Sequence, residues 1–377
     1  MDKSKIKELA AFGQSAWLDN ISRSYIKTGK LKGMIEAGLL GVTSNPTIFD
    51  NAISKSSDYD DKIKELGSSG KSAFEIYDEL TVRDIQEAAD LFRPVYEGSK
   101  GMDGFVSLEV NPKLAHKAEE TVKEAKRLHK KVNRPNVMFK VPSTKEGFKA
   151  IEELLTEGIN INITLIFSAE QYMNTARAFL KGIKRLSQKR DDLSGINSVA
   201  SVFVSRIDTL VDSLLDVRLA KETDEKTKGR LQSLKGKAAV ANSKVIYQKY
   251  REIFSRSEFE ELKKKGARIQ RVLWGSTGTK NPAYSDIKYV EELIGKDTVN
   301  TMPEQTFNAF LGHGEVKESL IQDVSSAKKL IDDLRKTGID IDDVCMQLLK
   351  EGVGAFEKSF ESLLNSIEKK KCILCKK

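Results

Sequence analysis

The chain has 377 residues, 39% of them hydrophobic, which is ample for a large core. Its 63 lysines and arginines against 55 acids give a formal net charge of +8, but the two signs are interleaved along helical faces, as in Lys123-Glu124-Ala125-Lys126; this describes a solvated surface rather than a nucleic-acid stripe. No apolar stretch approaches the roughly 20 residues of a membrane span, and Met1-Asp2-Lys3-Ser4-Lys5 leads into a mixed helix rather than an apolar leader, so the expectation is a soluble, cytoplasmic protein with neither a membrane nor a nucleic-acid partner.

Short apolar runs recur along the chain, most of them followed by a helix-start signal. The first are Ala16-Trp17-Leu18-Asp19 and Leu39-Leu40-Gly41-Val42-Thr43-Ser44-Asn45, then, after a stretch of extra helices at about 46–103 broken at Phe92-Arg93-Pro94, Phe105-Val106-Ser107-Leu108-Glu109-Val110. Val137 to Val141, Ile161 to Phe167 and Val199 to Val204 follow. A long charged segment, about 206–267, reads as two or more exposed helices, before Val272-Leu273-Trp274-Gly275 and a weaker eighth run, Thr298-Val299-Asn300-Thr301-Met302. Continuous apolar runs of this length suit strands buried on both faces of a parallel sheet.

The helix starts are chemically specific. Asn45-Pro46 and Asn111-Pro112 each offer a cap followed by proline at the first helical position. Ser143-x-x-Glu146 and Ser168-x-x-Gln171 have the spacing of capping boxes. After Asn111 the positions Leu114, Ala118, Val122, Ala125, Leu128 and Val132 step by three and four, an amphipathic helix. Residues 314–370 read as helices, for example through Leu349, Val353, Phe356, Phe360, Leu363, Leu364 and Ile367, and a basic tail, 369–377, follows. Eight strand-like runs alternating with helices predict an α/β fold, a (β/α)8 TIM barrel, as one domain over 1–377 with additional helices in its insertions and at the C-terminus.

Lys140 lies inside the apolar run Asn136-Val137-Met138-Phe139-Lys140-Val141-Pro142. Burying an unpaired ammonium costs several kcal/mol (on the order of 3–5 pKa units), and an amine held neutral is a nucleophile toward carbonyl substrates. The ordinary reading is an edge-strand lysine whose stem reaches water. Barrel active sites lie at the carboxyl ends of the strands, and Asp19, Asn45, Glu109, Lys140, Asn162, Thr164 and Ser201 all fall there, near the ends of six different runs. Each has an ordinary role as a cap, ladder end or small filler; their coincidence around one lysine favours chemistry. Lys140 supplies the amine, Asp19 and Glu109 supply acid–base capacity, and Asn45, Asn162 and Ser201 can hold sugar hydroxyls. Met138, Phe139 and Val141 are expected to keep the amine's surroundings apolar. Only three histidines (His116, His129, His313) and three cysteines (Cys345, Cys372, Cys375) occur. Neither a metal centre nor a disulfide framework is expected, His116 and His129 share one helix pattern, and Cys372-x-x-Cys375 reads as an exposed tail. The pattern is that of class I aldolase chemistry, with no cofactor.

Seven ordered motifs give the chain a resemblance to the transaldolase family, in its longer bacterial branch. They are Gln14-Ser15-Ala16-Trp17-Leu18-Asp19-Asn20, Thr43-Ser44-Asn45-Pro46-Thr47-Ile48-Phe49, Val106-Ser107-Leu108-Glu109-Val110-Asn111-Pro112, Phe139-Lys140-Val141-Pro142-Ser143-Thr144, Gly158 to Leu165, Ser201-Val202-Phe203-Val204-Ser205-Arg206, and Leu273 to Pro282. The resemblance implies that Lys140 forms the Schiff base, that Asp19 handles the sugar hydroxyl proton, and that Glu109 and Thr164 position a water. It implies further that Asn45 and Asn162 hold the dihydroxyacetone unit, that Ser201, Phe203 and Ser276 line the pocket, and that Arg206 binds phosphate. The shorter branch has a second phosphate-binding arginine near the seventh strand; here Lys280 is the nearest cation after Ser276, a point charge rather than a planar fork. The implied activity is transfer of a dihydroxyacetone unit from sedoheptulose 7-phosphate or fructose 6-phosphate to glyceraldehyde 3-phosphate or erythrose 4-phosphate, in the non-oxidative pentose phosphate pathway. A fructose 6-phosphate aldolase-like lyase is the alternative, and a non-catalytic barrel binding sugar phosphates or RNA is a third reading. Monomer and homodimer stay open.

Overall fold

Each of the eight apolar runs is a strand in the computed structural model, which describes residues 4–375. Met1, Asp2 and Lys3 of the expected leading segment, and Lys376 and Lys377 of the basic tail, lie outside the described residues. The strands are β1 (Gln14–Leu18), β2 (Gly41–Thr43), β3 (Phe105–Glu109), β4 (Val137–Pro142), β5 (Ile161–Ile166), β6 (Ser198–Phe203), β7 (Arg271–Gly275) and β8 (Thr298–Met302). All pair in parallel in chain order, and β8 returns to pair with β1 from Gln14↔Thr298 to Leu18↔Met302, closing a (β/α)8 barrel. The weakest run in the sequence is thus the strand that completes the ring. No helix among the described residues is long and apolar enough to cross a membrane.

Side chains alternate across a strand with period two, so each strand feeds two cores. Outward residues such as Val106, Phe139, Val141, Ile163 and Val202 pack against the helices. Inside, Trp17, Phe105, Met138, Val199, Leu273 and Val299 form a separate apolar plug. Below the plug, Arg271 donates to Ser15 Oγ (2.8 Å), the Met102 carbonyl (2.7 Å) and Asp103 Oδ1 (2.9 Å), while Asp103 also accepts from Ser15 (2.8 Å) and from Trp17 Nε1 (3.3 Å). Two residues above the plug, the same strands present Asp19, Ser107, Lys140, Ser201, Gly275 and Thr301. The apolar plug therefore sets the floor of a polar layer at the C-terminal end of the barrel.

Several local expectations are corrected. Asn111 does cap, through Lys113 N, but only a short 3-10 turn, Pro112–Leu114; the amphipathic helix starts at Ala118 and buries Thr121, Ala125, Leu128 and Val132. His116 lies before that helix and shares no helix with His129. The box expected at Ser143 and Glu146 is replaced by Thr144, whose hydroxyl accepts from Gly147 N, because Ser143 Oγ is drawn to the Leu165 carbonyl at 2.8 Å. Ser168 and Gln171 do form a reciprocal box, and so do Ser72 and Glu75 ahead of the Ala73–Leu91 helix. The charged 206–267 stretch holds four helices, and they are not all exposed: Ala238–Phe254 buries Ala239, Asn242, Ser243, Ile246 and Tyr250.

The described residues close with a 35-residue helix, Ile341–Cys375. It crosses the C-terminal face of the barrel and packs on the Pro46–Lys55 and Asp60–Ser68 helices. Ser362 and Ser366 donate to Asp50 (2.7 and 2.9 Å), Thr47 donates to Ser359 (2.8 Å), and Lys370 pairs with Asp60 (2.6 Å). Cys372 and Cys375 are exposed, but they form the last turn of this helix rather than a loose tail.

Removing one partner of a buried ion pair leaves an uncompensated charge and costs about 3–5 kcal/mol. Arg271→Ala, which strands Asp103 below the plug, is expected to lower the unfolding free energy by that amount in urea denaturation; a loss under about 1 kcal/mol would show that the floor pair does not hold the barrel together.

Candidate active site

Lys140 points into the barrel from the middle of β4, with only 4% of its surface exposed. Its ammonium donates to the Ser44 carbonyl at 2.9 Å and stands 3.3 Å from Glu109 Oε2. Strand register brings these groups together: Glu109 of β3 is opposite Lys140, and Lys140 is opposite Asn162 of β5. One expectation fails here. Phe139 and Val141 face the helices, as odd neighbours on a strand must, and only Met138 lies on the lysine's own face, one layer below. The polar contacts and the depth of the layer define the amine's environment, not a collar of adjacent apolar residues.

Glu109 is buried, and desolvation pushes its carboxyl up to about 7, with the Lys140 charge pulling the other way. Asp19, at the end of β1, is also raised by burial, opposed by Lys140, by a 2.8 Å hydrogen bond from Thr43 Oγ1, and by the more distant charges of Lys280 and Arg206. Thr43 is in turn 2.8 Å from Thr301. Glu109 Oε2 and Thr164 Oγ1 are both buried without a hydrogen-bond partner. Glu109 Oε2 is met only by the ion pair with Lys140, and the Thr164 hydroxyl is unmet, an unfavourable state for buried oxygens that a small polar molecule would relieve.

Asn45 accepts from Ile48 N at 3.0 Å and caps the Pro46–Lys55 helix, yet it also lines the pocket. Asn162 is completely buried; Ser201 Oγ donates to its Oδ1 at 2.6 Å and its Nδ2 donates to Ser107 Oγ at 3.1 Å. Glu109 and Asn162 thus lie beneath the open cavity, not on its wall. The cavity, about 110 Å³, is bounded by Asp19, Asn45, Lys140, Thr164, Ser201, Phe203, Arg206, Ser276 and Lys280 from the sequence-derived set. Thr164 precedes a break in the β5–β6 ladder, where Leu165 adopts φ +61°, a left-handed conformation unfavourable for leucine by about 1–2 kcal/mol. Ser276, just past β7, has φ +54°, and its carbonyl and hydroxyl meet Ser205 N and Oγ at 3.1 Å each.

Arg206 stacks over Phe203, its Cζ 5.3 Å from the ring centroid. It makes no hydrogen bond or ion pair among the described residues, and burial disfavours its charged form. Lys280 is on the rim, exposed. Two cations without a hydrogen bond or ion pair among the described residues thus stand at one mouth. Among the described residues, no group of three or more His, Cys, Asp or Glu side chains is placed to hold a metal ion.

Sequence reasoning missed Thr43, Thr301 and Phe356, which also line the cavity. Thr43 and Thr301 were present in the strand runs but were not singled out as site residues. Phe356 belongs to the C-terminal helix, and its ring centroid lies 5.8 Å from Lys140 Nζ; an apolar position at helical spacing carries no sign of this.

The Transaldolase/Fructose-6-phosphate aldolase family profile matches residues 16–367. A transaldolase of Trichodesmium erythraeum (strain IMS101) is 45% identical over 373 residues, 98% of each chain. A transaldolase of Saccharopolyspora erythraea is 46% identical over 366 residues, 97% of each chain, and a Streptomyces coelicolor protein named transaldolase 2 is 44% identical over 365 residues, 96% of each. The chain belongs to the transaldolase/fructose-6-phosphate aldolase family.

A carboxyl raised from near 4.5 to about 7 keeps its proton in the folded protein where the unfolded chain has already lost it. Its stabilising contribution is complete below the unfolded value and is lost as pH rises through about 7. Glu109→Gln, which mimics the protonated acid, is expected to gain stability relative to wild type between about pH 5 and pH 8. The check is the urea midpoint of both proteins across that range; a gap independent of pH would contradict the shift.

Proposed function

We propose that this member of the family is a transaldolase acting on sugar phosphates in the cytoplasm, in the non-oxidative pentose phosphate pathway, through an imine on Lys140. The observation that carries this reading is a lysine amine buried beside a carboxyl of pKa about 7, at the base of a pocket whose mouth holds the unpaired Arg206.

Lys140 must lose a proton to attack a carbonyl carbon, and Glu109, 3.3 Å away, is the base within reach. The amine adds to the keto carbon of sedoheptulose 7-phosphate or fructose 6-phosphate, and water leaves to give an iminium. Glu109 and Thr164, with their unmet oxygens, hold that water as it departs and returns. Asp19 takes the proton of the hydroxyl beyond the third carbon, the adjacent carbon–carbon bond breaks, and the aldose phosphate leaves. The three-carbon unit remains on Lys140 as an enamine. The aldehyde carbon of glyceraldehyde 3-phosphate or erythrose 4-phosphate accepts the new bond, Asp19 returns the proton, and hydrolysis of the imine frees the amine. Asn45 holds hydroxyls of the three-carbon unit, and Asn162 and Ser201 act from the layer beneath and beside it. Phe203 and Ser276 shape the wall, and Arg206 and Lys280 take the phosphate.

Borohydride reduction in the presence of fructose 6-phosphate, followed by peptide mass spectrometry, is expected to place a three-carbon adduct on Lys140. In Lys140→Met the adduct should vanish and turnover should fall by roughly 10³-fold or more. An adduct on a different lysine, or a Lys140→Met variant with near-normal turnover, would dismiss the mechanism. Product analysis with and without erythrose 4-phosphate separates transfer from simple cleavage, the other chemistry in the family's name.

Arg206→Ala removes a charge-assisted contact worth about 1.5–3 kcal/mol, roughly 10–100-fold in affinity. The KM for fructose 6-phosphate is expected to rise by that factor while weak turnover of unphosphorylated fructose is unaffected. Equal loss with both sugars would place Arg206 outside the phosphate site.

A further inference from the structure

An enamine held on a lysine has two fates. An acceptor aldehyde takes the carbon, or the carbon takes a proton, water adds to the resulting iminium carbon, the carbon–nitrogen bond breaks, and one molecule of dihydroxyacetone leaves with the amine restored. The second route consumes one water and turns a transferase into a lyase. What decides between them is whether bulk water reaches the space above the amine and supplies the enamine carbon's proton before an acceptor aldehyde arrives.

That space is covered by the C-terminal helix. Phe356 is 5% exposed, lines the cavity and sets its ring centroid 5.8 Å from Lys140 Nζ. One turn earlier the helix backbone comes down onto the site: a Cβ at Gly352 would stand 3.0 Å from Leu165 Cδ2 and 3.7 Å from Arg206 Nη1. Only glycine allows this approach without displacing a neighbour. The helix is fastened on the far side by Asp50 to Ser362 and Ser366. Its one aromatic contribution to a cavity otherwise rich in hydroxyl, amide and charged groups has no donor or acceptor, so it can neither hold a hydroxyl nor move a proton.

We propose that Phe356 determines the outcome of the reaction: its ring shields the three-carbon intermediate on Lys140 from bulk water and so reserves it for the acceptor sugar. This inference rests on the transaldolase reading above and adds a specificity-determining residue to it.

The test is a bulk series, Phe356→Leu, Phe356→Val and Phe356→Ala, in the full-length enzyme. Fructose 6-phosphate is supplied without acceptor and free dihydroxyacetone is measured; transfer to erythrose 4-phosphate is measured in parallel. The ratio of release to transfer is expected to climb as bulk is lost, with a small rise for leucine and about tenfold or more for alanine. If Phe356→Ala does not fold, the valine variant carries the test, with a rise between those two. A ratio that stays at the wild-type value while transfer falls would overturn the proposal and leave Phe356 as packing alone. Borohydride trapping on the same samples tells the two failures apart. Wild-type protein that traps no adduct on Lys140 removes both the transaldolase reading and this inference; adduct formation with an unchanged ratio removes this inference only.

Discussion

One buried ion pair organises this protein. At 3.3 Å the attraction between Lys140 and Glu109 is worth roughly 5 kcal/mol at an effective dielectric near 20. Removing both groups from water costs several kcal/mol for each ion. The pair is therefore close to break-even, and the carboxyl lifted to about 7 records how poorly the fully charged state is supported. A barrel interior that tolerates this arrangement must enclose it on every side. The apolar plug closes it from below, the strand ladder fixes the spacing, and the C-terminal helix covers it from above.

Parallel register turns this constraint into a working arrangement. Glu109, Lys140 and Asn162 sit side by side on three neighbouring strands because their Cα atoms are paired across the ladder. The alternation of each strand then sends these side chains inward, above the apolar plug. Segments just past the strands carry the remaining polar groups: Asn45 is oriented by capping a helix, Ser276 by a left-handed backbone conformation, and Arg206, in the first turn of the Ser205–Leu219 helix, by stacking on Phe203. Rigid strands thus hold the groups around the amine, while strand ends and helix starts hold the groups that line the mouth of the cavity.

Much of this was legible in the sequence, and for identifiable reasons. Strands buried on both faces leave continuous apolar runs, so all eight were visible, and a lysine inside such a run is conspicuous. The sequence motifs carried the family resemblance, which the full-length relatives show. Register is not written in a run of residues, so the pairing of Lys140 with Glu109 and Asn162 emerged only from the fold. Orientation was misjudged at Phe139 and Val141, where adjacency in sequence was mistaken for adjacency in space. The cap at Thr144 was hidden because Ser143 had a tertiary alternative in the Leu165 carbonyl. Phe356 was the least legible, since the helix that carries it is more than 200 positions away in sequence yet crosses the mouth of the same pocket.

A crystal structure of the enzyme reduced with borohydride in the presence of fructose 6-phosphate tests this account most directly. Continuous density from Lys140 Nζ to a three-carbon unit is expected, with Asp19 facing its outer carbon and Phe356 above it. An intact sugar phosphate bound without a covalent link, or an adduct on any other lysine, would contradict the claim that this buried amine is the nucleophile.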